Sequence, residues 1–261
     1  MSNKDRNFSK ILYEICNEEG ISITSFSDNW IYLLEKNDKK HFIYGYQMGV
    51  NKDIDALLCK DKVAISEILI KNNIPCIKHE FIPMPSMIKY LSHDFEYYDK
   101  LLKKYIKNTA VIKPNLGTSG NDVYKTNDYI EAKKYINKIH NYDNVAISRF
   151  INIQNEYRII ILNGNIELVY EKVTDDWIHN LGKGAIPKII DEYNIYIKNI
   201  CKNIYDILNI PLMAVDMVRT NEGYCVLEIN SGLMMDNFSS YSRKNYLIAK
   251  SIYKKILLNC I

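Results

Sequence analysis

"MAVDMVRTNEGYCVLEIN", residues 213–230, places Asp216 in one apolar run and Glu228 and Asn230 in the next. Side chains two apart on a strand leave the same face, so Glu228 and Asn230 point together. Asn221-Glu222-Gly223 suits a three-residue hairpin loop with Gly223 in the left-handed position, a register that pairs Thr220 with Tyr224 and Asp216 with Glu228. Three oxygen donors then converge on one sheet face, in strands otherwise made of Val, Leu, Met and Ile. Two buried carboxylates repel each other and must take up a proton or share a cation. Oxygen-only ligation points to a hard divalent ion, magnesium. The competing reading is an exposed face of solvated acids.

"VIKPNLGTSG", residues 111–120, is the second constellation. A β-branched run delivers Lys113, and a loop of small residues follows with Gly117, Thr118, Ser119 and Gly120, in a chain holding only 10 glycines. Magnesium held by few protein ligands shares its shell with nucleotide phosphates. Lys113 and the loop N–H groups can supply the matching positive charge. The pattern is not a P-loop, because the glycines lead into a strand, "NDVYKT", where a P-loop needs a helix; nor is it G-x-G-x-x-G. What remains is a glycine-containing hairpin lying over phosphates.

Single residues add to these two. Glu156 and Arg158 are two apart and share a strand face, so Arg158 is read either as a group binding phosphate or substrate carboxylate, or as half of a surface cross-strand ion pair. Lys172 in "YEKV" reads as a further cation for phosphate, with Glu171 on the opposite face. Lys183 reads as solvated, Trp177 and His179 as loop packing, and Met234 and Met235 as ordinary packing.

The elements that must hold these residues are legible as periodicities. "KILYEICNEEG" is a helix closed at Gly20; "ISITSF", "WIYLLEK" and "KKHFIYGYQ" are strands joined by tight turns. "DKVAISEILIKNNIPC" is an amphipathic helix with Val63, Ile65, Ile68 and Leu69 inward, and "YYDKLLKKYI" a second one. From residue 109 the order is strand, loop, strand, helix, strand, then a hairpin about Asn163-Gly164, a polar loop, a helix, two strands and a terminal helix. Two α+β lobes hinged near residue 150 follow.

Composition excludes several classes. The 261 residues are 47% hydrophobic and 25% charged, with a net charge of +3, too small to argue for nucleic acid or an anionic membrane. No apolar run reaches membrane-span length, and the polar N-terminus lacks a signal peptide's core, which places the chain in the cytoplasm. Six isolated cysteines without a C-x-x-C pair read as reduced packing residues, and five scattered histidines offer no transition-metal spacing.

Taken in order, these fragments resemble the ATP-grasp enzymes, in the branch holding ribosomal-protein glutamate ligase, glutathione synthetase and cyanophycin synthetase, with D-alanine–D-alanine ligase more distant. The match runs from about residue 59 to 240. "CKDKVAISEILIKNNIPC" is similar to the family's first-lysine segment and implies Lys62 as a phosphate lysine. "VIKPNLGTSGNDVYK" is similar to its second-lysine strand and phosphate loop. "VAISRFINIQNEYRIIILNG" resembles the adenine linker, implying that the Arg149 carbonyl and Ile151 N–H meet adenine and Glu156 the ribose hydroxyls. "WIHNLGKGA" resembles the N-L-x-x-G-G loop, implying Asn180 near the γ-phosphate, and "VDMV…VLEINSG" the closing metal motif.

The resemblance implies an α+β ATP-grasp fold: two α+β lobes clasping ATP behind a short N-terminal α/β domain. Residues 1–58 would be that reduced domain and 59–261 the ATP-grasp domain, with a nucleotide lobe at about 105–150 and a metal and catalytic lobe at about 151–261. It implies ATP and two magnesium ions, with manganese able to substitute. The activity implied is carboxylate–amine ligation through an acyl phosphate, on an amino acid or peptide donor and an amine acceptor. In it Asp216, Glu228 and Asn230 hold metal, and Arg158, Lys172 and Asn180 stabilise the transferred phosphoryl group. A small-molecule kinase and a non-catalytic nucleotide-binding module are the alternatives. Three departures bear on this. Ser148 stands where the family usually opens its linker with glutamate. "EINSGLMMDNF" lacks the usual Pro-Gly turn. The short N-terminal region leaves part of the donor site reduced or supplied by a second subunit, as in a homodimer.

Overall fold

The computed structural model describes residues 6–261; Met1–Asp5, part of the polar lead-in, lie outside them. Helix α1, Asn7–Glu19, buries Phe8, Ile11, Leu12 and Ile15 on one stripe and stops at Gly20, whose φ of 62° gives the left-handed cap the sequence predicts. Strands β1 (Ser22–Phe26), β2 (Ile31–Lys36) and β3 (Lys39–Tyr44) form an antiparallel meander. The N-terminal α/β layer expected above is thus one helix on a three-stranded meander.

Helix α2, Asp53–Lys60, was not legible beforehand, and it runs across residue 58. Helix α3, Lys62–Lys71, begins where Asp61 accepts the Ala64 N–H at 2.9 Å, a side-chain N-cap that fixes Lys62 at the first helical position. Then come β4 (Glu80–Ile82), a 3-10 turn, and α4 (Phe95–Ile106), followed by β5 (Ala110–Pro114), β6 (Tyr124–Thr126), α5 (Tyr129–Ile139) and β7 (Val145–Arg149). These strands make an antiparallel sheet in the order β4-β7-β5-β6, with α4 and α5 packed on it around Ala110, Ile112, Ala132 and Ile147.

The second lobe is a five-stranded antiparallel sheet in the order β10-β9-β8-β11-β12, from β8 (Asn155–Leu162), β9 (Asn165–Val173), β10 (Ile186–Ile189), β11 (Leu212–Thr220) and β12 (Gly223–Asn230). Helix α6, Ile195–Leu208, precedes β11, and α7 (Asp236–Tyr241) and α8 (Arg243–Leu258) close the described chain. Why does β8 read "RIIIL" without alternation? Both faces are covered. Ile160 and Leu162 pack with α1, β2, β3 and α8; Ile159 and Ile161 pack with α3 and α6. The N-terminal unit and the second lobe therefore share one core, Phe8 meeting Tyr253 at 5.0 Å between ring centroids. All six cysteines are free thiols, and among the described residues no helix is long and apolar enough to cross a membrane.

Candidate active site

A cleft of about 540 Å³ opens between the two sheets, and every side chain singled out for the site lines it. Its floor is the β11–β12 hairpin, which corrects the sequence reading in one respect. The turn is two residues long, so Thr220 lies opposite Gly223 and Arg219 opposite Tyr224. That slip alone would set Leu227 against Asp216. A bulge between Asp216 and Met217 absorbs the extra residue, so that Asp216 faces Glu228 and Ala214 faces Asn230. The expected pairing is present, produced by a bulge rather than a longer loop.

Two further strands extend the row. Arg158 on β8 lies opposite Asp216, and Tyr170 on β9 opposite Arg158. Arg158 donates Nε to Asp216 Oδ1 at 2.7 Å and Nη2 to Oδ2 at 2.6 Å, a two-pronged pair that leaves Nη1 outside it. Lys172 Nζ sits 3.0 Å from Asp216 Oδ1 and 2.5 Å from Glu156 Oε1. Arg158 is thus half of a cross-strand ion pair, with Asp216, but not one at the surface: Lys172 bridges Asp216 and Glu156, and Glu156, Lys172 and Asp216 are all buried. Burial alone would raise Asp216, but the combined Arg158 and Lys172 charges hold it well below the usual carboxylate range. Burial is also the largest influence on Glu156, which it pushes up against the pull of Lys172.

Lys113 is different. It is only 6% exposed, and among the described residues its ammonium makes no hydrogen bond or ion pair. Burial is the main reason its pKa falls to about 8; Lys62 nearby lowers it further, while Glu228, Glu156 and Asp216 oppose. A buried cation without a partner, at the wall of a cleft, is a site prepared for an anion. Lys62 instead donates to the carbonyls of Asn115 (3.2 Å) and Gly117 (2.5 Å), so here it fastens the glycine loop. Gly117 is required by close approach: a Cβ there would lie 2.7 Å from that of Pro114. Gly120, at φ 66°, needs its freedom for the left-handed backbone. Thr118 and Ser119 between them are exposed to the cleft mouth.

At the far end, Ser148, Arg149 and Ile151 line the cleft along the connector from β7 to β8. Phe150 N–H donates to Thr109 O at 2.8 Å, and among the described residues the Ile151 N–H has no acceptor. Ser148 is buried within β7. Adenine there would be held by backbone groups, so Ser148→Ala is expected to change ATP affinity by less than about tenfold, roughly one neutral hydrogen bond. A titration showing a much larger loss would make the serine itself a recognition element. Asn180 Oδ1 accepts the Gly182 N–H at 2.7 Å, bracing the 178–184 turn that faces Gly120.

The donor set suits magnesium: two carboxylates and one amide oxygen, no nitrogen or sulfur. Asn230 Nδ2 lies 3.3 Å from Glu228 Oε1, which turns its amide oxygen away from that carboxylate. Asp216 Oδ2 carries only the Arg158 bond and has a lone pair left. Among the described residues no three His, Cys, Asp or Glu side chains gather as a metal group, so a metal on this hairpin would draw on the Asn230 amide.

Sequence reasoning missed the other wall. Trp30, in the turn before β2, Tyr44, the last residue of β3, and Tyr46 and Gln47 just after it line the cleft, as do Met234 and Phe238. Nothing in their spacing marked them, because tyrosine is common throughout this sequence. Trp177, set aside as loop packing, also lines the cleft.

Comparison with known proteins agrees with this geometry. A family model described as a RimK-like ATP-grasp domain matches residues 59–256. D-alanine–D-alanine ligase from Bacillus anthracis, solved with ATP, superposes with a TM-score of 0.57 at 18% identity, over 80% of this chain and 66% of its own. An ATP-grasp ligase, PsnB, solved with magnesium, ADP and a phosphomimetic variant of its minimal precursor, gives 0.53 at 13% identity, over 79% of this chain and 62% of its own. This chain therefore spans less than two thirds of either protein. A RiPP-associated ATP-grasp ligase from Chryseobacterium gregarium, solved with ADP and a leader and core peptide, gives 0.62 at 13% identity, over 100% of this chain and 96% of its own. No curated protein matches the sequence. At these identities the structures speak for the fold, while the family model covers three quarters of the sequence: the chain belongs to the RimK-like ATP-grasp family.

Proposed function

We propose that this protein is an ATP-dependent carboxylate–amine ligase. The observation that carries the reading is Lys113, a buried lysine whose ammonium has no partner among the described residues, lining a cleft whose floor is the Asp216–Glu228–Asn230 hairpin. Phosphates satisfy the lysine, and bound magnesium, held by the three oxygen ligands, would neutralise charge on those phosphates.

The substrate carboxylate oxygen attacks the γ-phosphorus, the bond to the bridging oxygen breaks, and ADP leaves with that electron pair. The amine nitrogen then attacks the acyl carbon, the carbon–oxygen bond to phosphate breaks, and an amide forms with loss of the amine proton. Arg158 Nη1 and the Asn180 amide orient the acyl phosphate, and Lys172 keeps Arg158 and Asp216 in register. Most of the work is positioning and charge neutralisation in a site shielded from water. The glycine loop, tied down by Lys62, is the cover that excludes water.

The donor is an amino acid or peptide carboxylate, and the protein works in the cytoplasm. A kinase would share the ATP site but leave a stable phosphate ester, and a binding module would leave ATP intact. The test is incubation with ATP, magnesium and pooled amino acids and short peptides, following ADP, phosphate and new amides together. Stoichiometric ADP, phosphate and amide support the ligase; a phosphate ester, or intact ATP that nonetheless binds, replaces it with one of the other readings.

A further inference from the structure

The meander β1–β3 has two faces. Tyr32, Leu34 and Ile43 point into the core, so the residues alternating with them point outward. Strand register sets those outward side chains in rows. Phe26, Ile31 and Tyr44 form the first row, at the end where Tyr44 and the neighbouring Trp30 line the cleft. Thr24, Leu33 and Phe42 form the second. Ser22, Glu35 and Lys40 form the third, where Lys40 and Glu35 make an ion pair at 2.9 Å. The outer face is therefore apolar for the two rows beside the cleft and polar beyond them. Phe26, Phe42 and Tyr44 are 46%, 58% and 61% exposed.

A sheet face turned to water normally alternates to polar residues, so aromatic side chains left there in adjoining rows mark a contact surface. Its apolar part stops as distance from the cleft grows, which ties it to a molecule leaving the cleft and favours such a molecule over a second copy of the chain. Tyr44 belongs to both surfaces, and Trp30 meets it edge to face with ring centroids 6.3 Å apart. The Arg6 guanidinium, 4.9 Å from the Trp30 ring and 5.3 Å from that of Tyr46, steadies this corner. Tyr44 and Phe42 stand two residues apart on one strand, about 7 Å, and alternate side chains of an extended peptide repeat at that same interval. We propose that the outer face of the meander docks an extended peptide substrate, which carries apolar side chains at two alternating positions beyond the ligated residue. The proposal rests on the ligase reading of the cleft and narrows its substrate, because a free amino acid held in the cleft is too short to reach Phe42.

The probes are two acetylated, amidated octapeptides, Glu-Thr-Phe-Thr-Phe-Thr-Thr-Thr and its reverse sequence, each compared with a version carrying serine for both phenylalanines. In calorimetry with ADP and magnesium present, at least one phenylalanine peptide is expected to bind about tenfold or more tighter than its serine version. Phe42 lies outside the cleft lining, so Phe42→Thr should leave ADP binding and the melting curve unchanged. It is expected to weaken that peptide by about fivefold, and Phe42→Leu should recover most of the loss. Phenylalanine and serine peptides that bind alike or not at all, or Phe42→Thr within about 1.5-fold of wild type, overturn the docking surface while the ligase reading stands. A wild-type dimer that Phe42→Thr dissociates in sedimentation velocity gives the face to a second copy and overturns the peptide. Wild-type protein that forms neither ADP nor amide in the ligase assay overturns the underlying reading and the docking surface with it.

Discussion

Asp216→Ala is expected to cost the fold on the order of 3–5 kcal/mol, more than the loss of any single group at the cleft surface. The carboxylate is 1% exposed and answers two cations, Arg158 through two parallel hydrogen bonds and Lys172 at 3.0 Å. Removing it leaves a guanidinium largely out of solvent and a buried ammonium with only Glu156 between them, an arrangement whose desolvation is no longer offset. Urea melts of wild type and variant, compared at equal slope, measure this directly. A variant within about 1 kcal/mol of wild type would mean that water enters and solvates the pair, and the charge cluster would lose its structural role. Asp216→Asn should fall between, since one amide oxygen still accepts from Arg158. The practical consequence concerns the metal: an inactive Asp216→Ala protein, alone or combined with a change at Glu228, does not by itself report on magnesium, because the sheet it sits in has been disturbed.

That double role of Asp216 was only half legible in the sequence. Alternation along "VLEIN" put Glu228 and Asn230 on one face, and the hairpin paired Asp216 with Glu228, all from strand period and turn length. The sequence could not show which strand lies on the other side of β11. β8 precedes it by some fifty residues, and Arg158 meets Asp216 only because that pairing is long-range. Arg158 therefore read either as a group meeting substrate or as a surface cross-strand pair, while in the fold its Nε and Nη2 hold a buried acid across the sheet. Lys172 and Glu156 carry the same lesson, since their pairing follows the β8–β9 register about Asn163-Gly164. The bulge at Leu227 shows a compensating case: the turn is a residue shorter than its composition implies, yet the pairing that matters is restored by a local irregularity that no periodicity announces. Helices α2 and α7 were missed for a simpler reason, being eight and six residues long and held by tertiary contacts rather than by an amphipathic stripe. The aromatic wall from Trp30 to Tyr46 was invisible because tyrosines on and just after a meander have no distinguishing spacing. The glycine loop was legible because Gly117 and Gly120 are demanded by backbone geometry, which leaves a mark in the sequence that packing does not.

Glu228→Gln is the substitution that isolates the metal question, and it is expected to lower turnover by about a hundredfold or more while leaving the fold unchanged. Glu228 is only half-buried, and among the described residues it forms no ion pair; its one polar contact is with Asn230 Nδ2 at 3.3 Å. Glutamine keeps the length, the shape and an oxygen able to accept that bond. What changes is a single negative charge. If the charge serves only to solvate the cleft, activity should move by a small factor. If it holds magnesium beside the phosphates, the loss falls on the chemical step, because charge developing on the transferred group is no longer neutralised. A second readout separates metal binding from simple repulsion of ATP. Without magnesium, the neutral variant should bind ATP as well as wild type or better, since a carboxylate facing phosphates is unfavourable. With magnesium, wild type should gain affinity and the variant should gain far less. Calorimetric titrations with and without the ion give both numbers on protein whose melting curve matches wild type. An equal gain from magnesium in the two proteins, with turnover within about threefold, removes Glu228 from the metal site and leaves the ion to ATP alone.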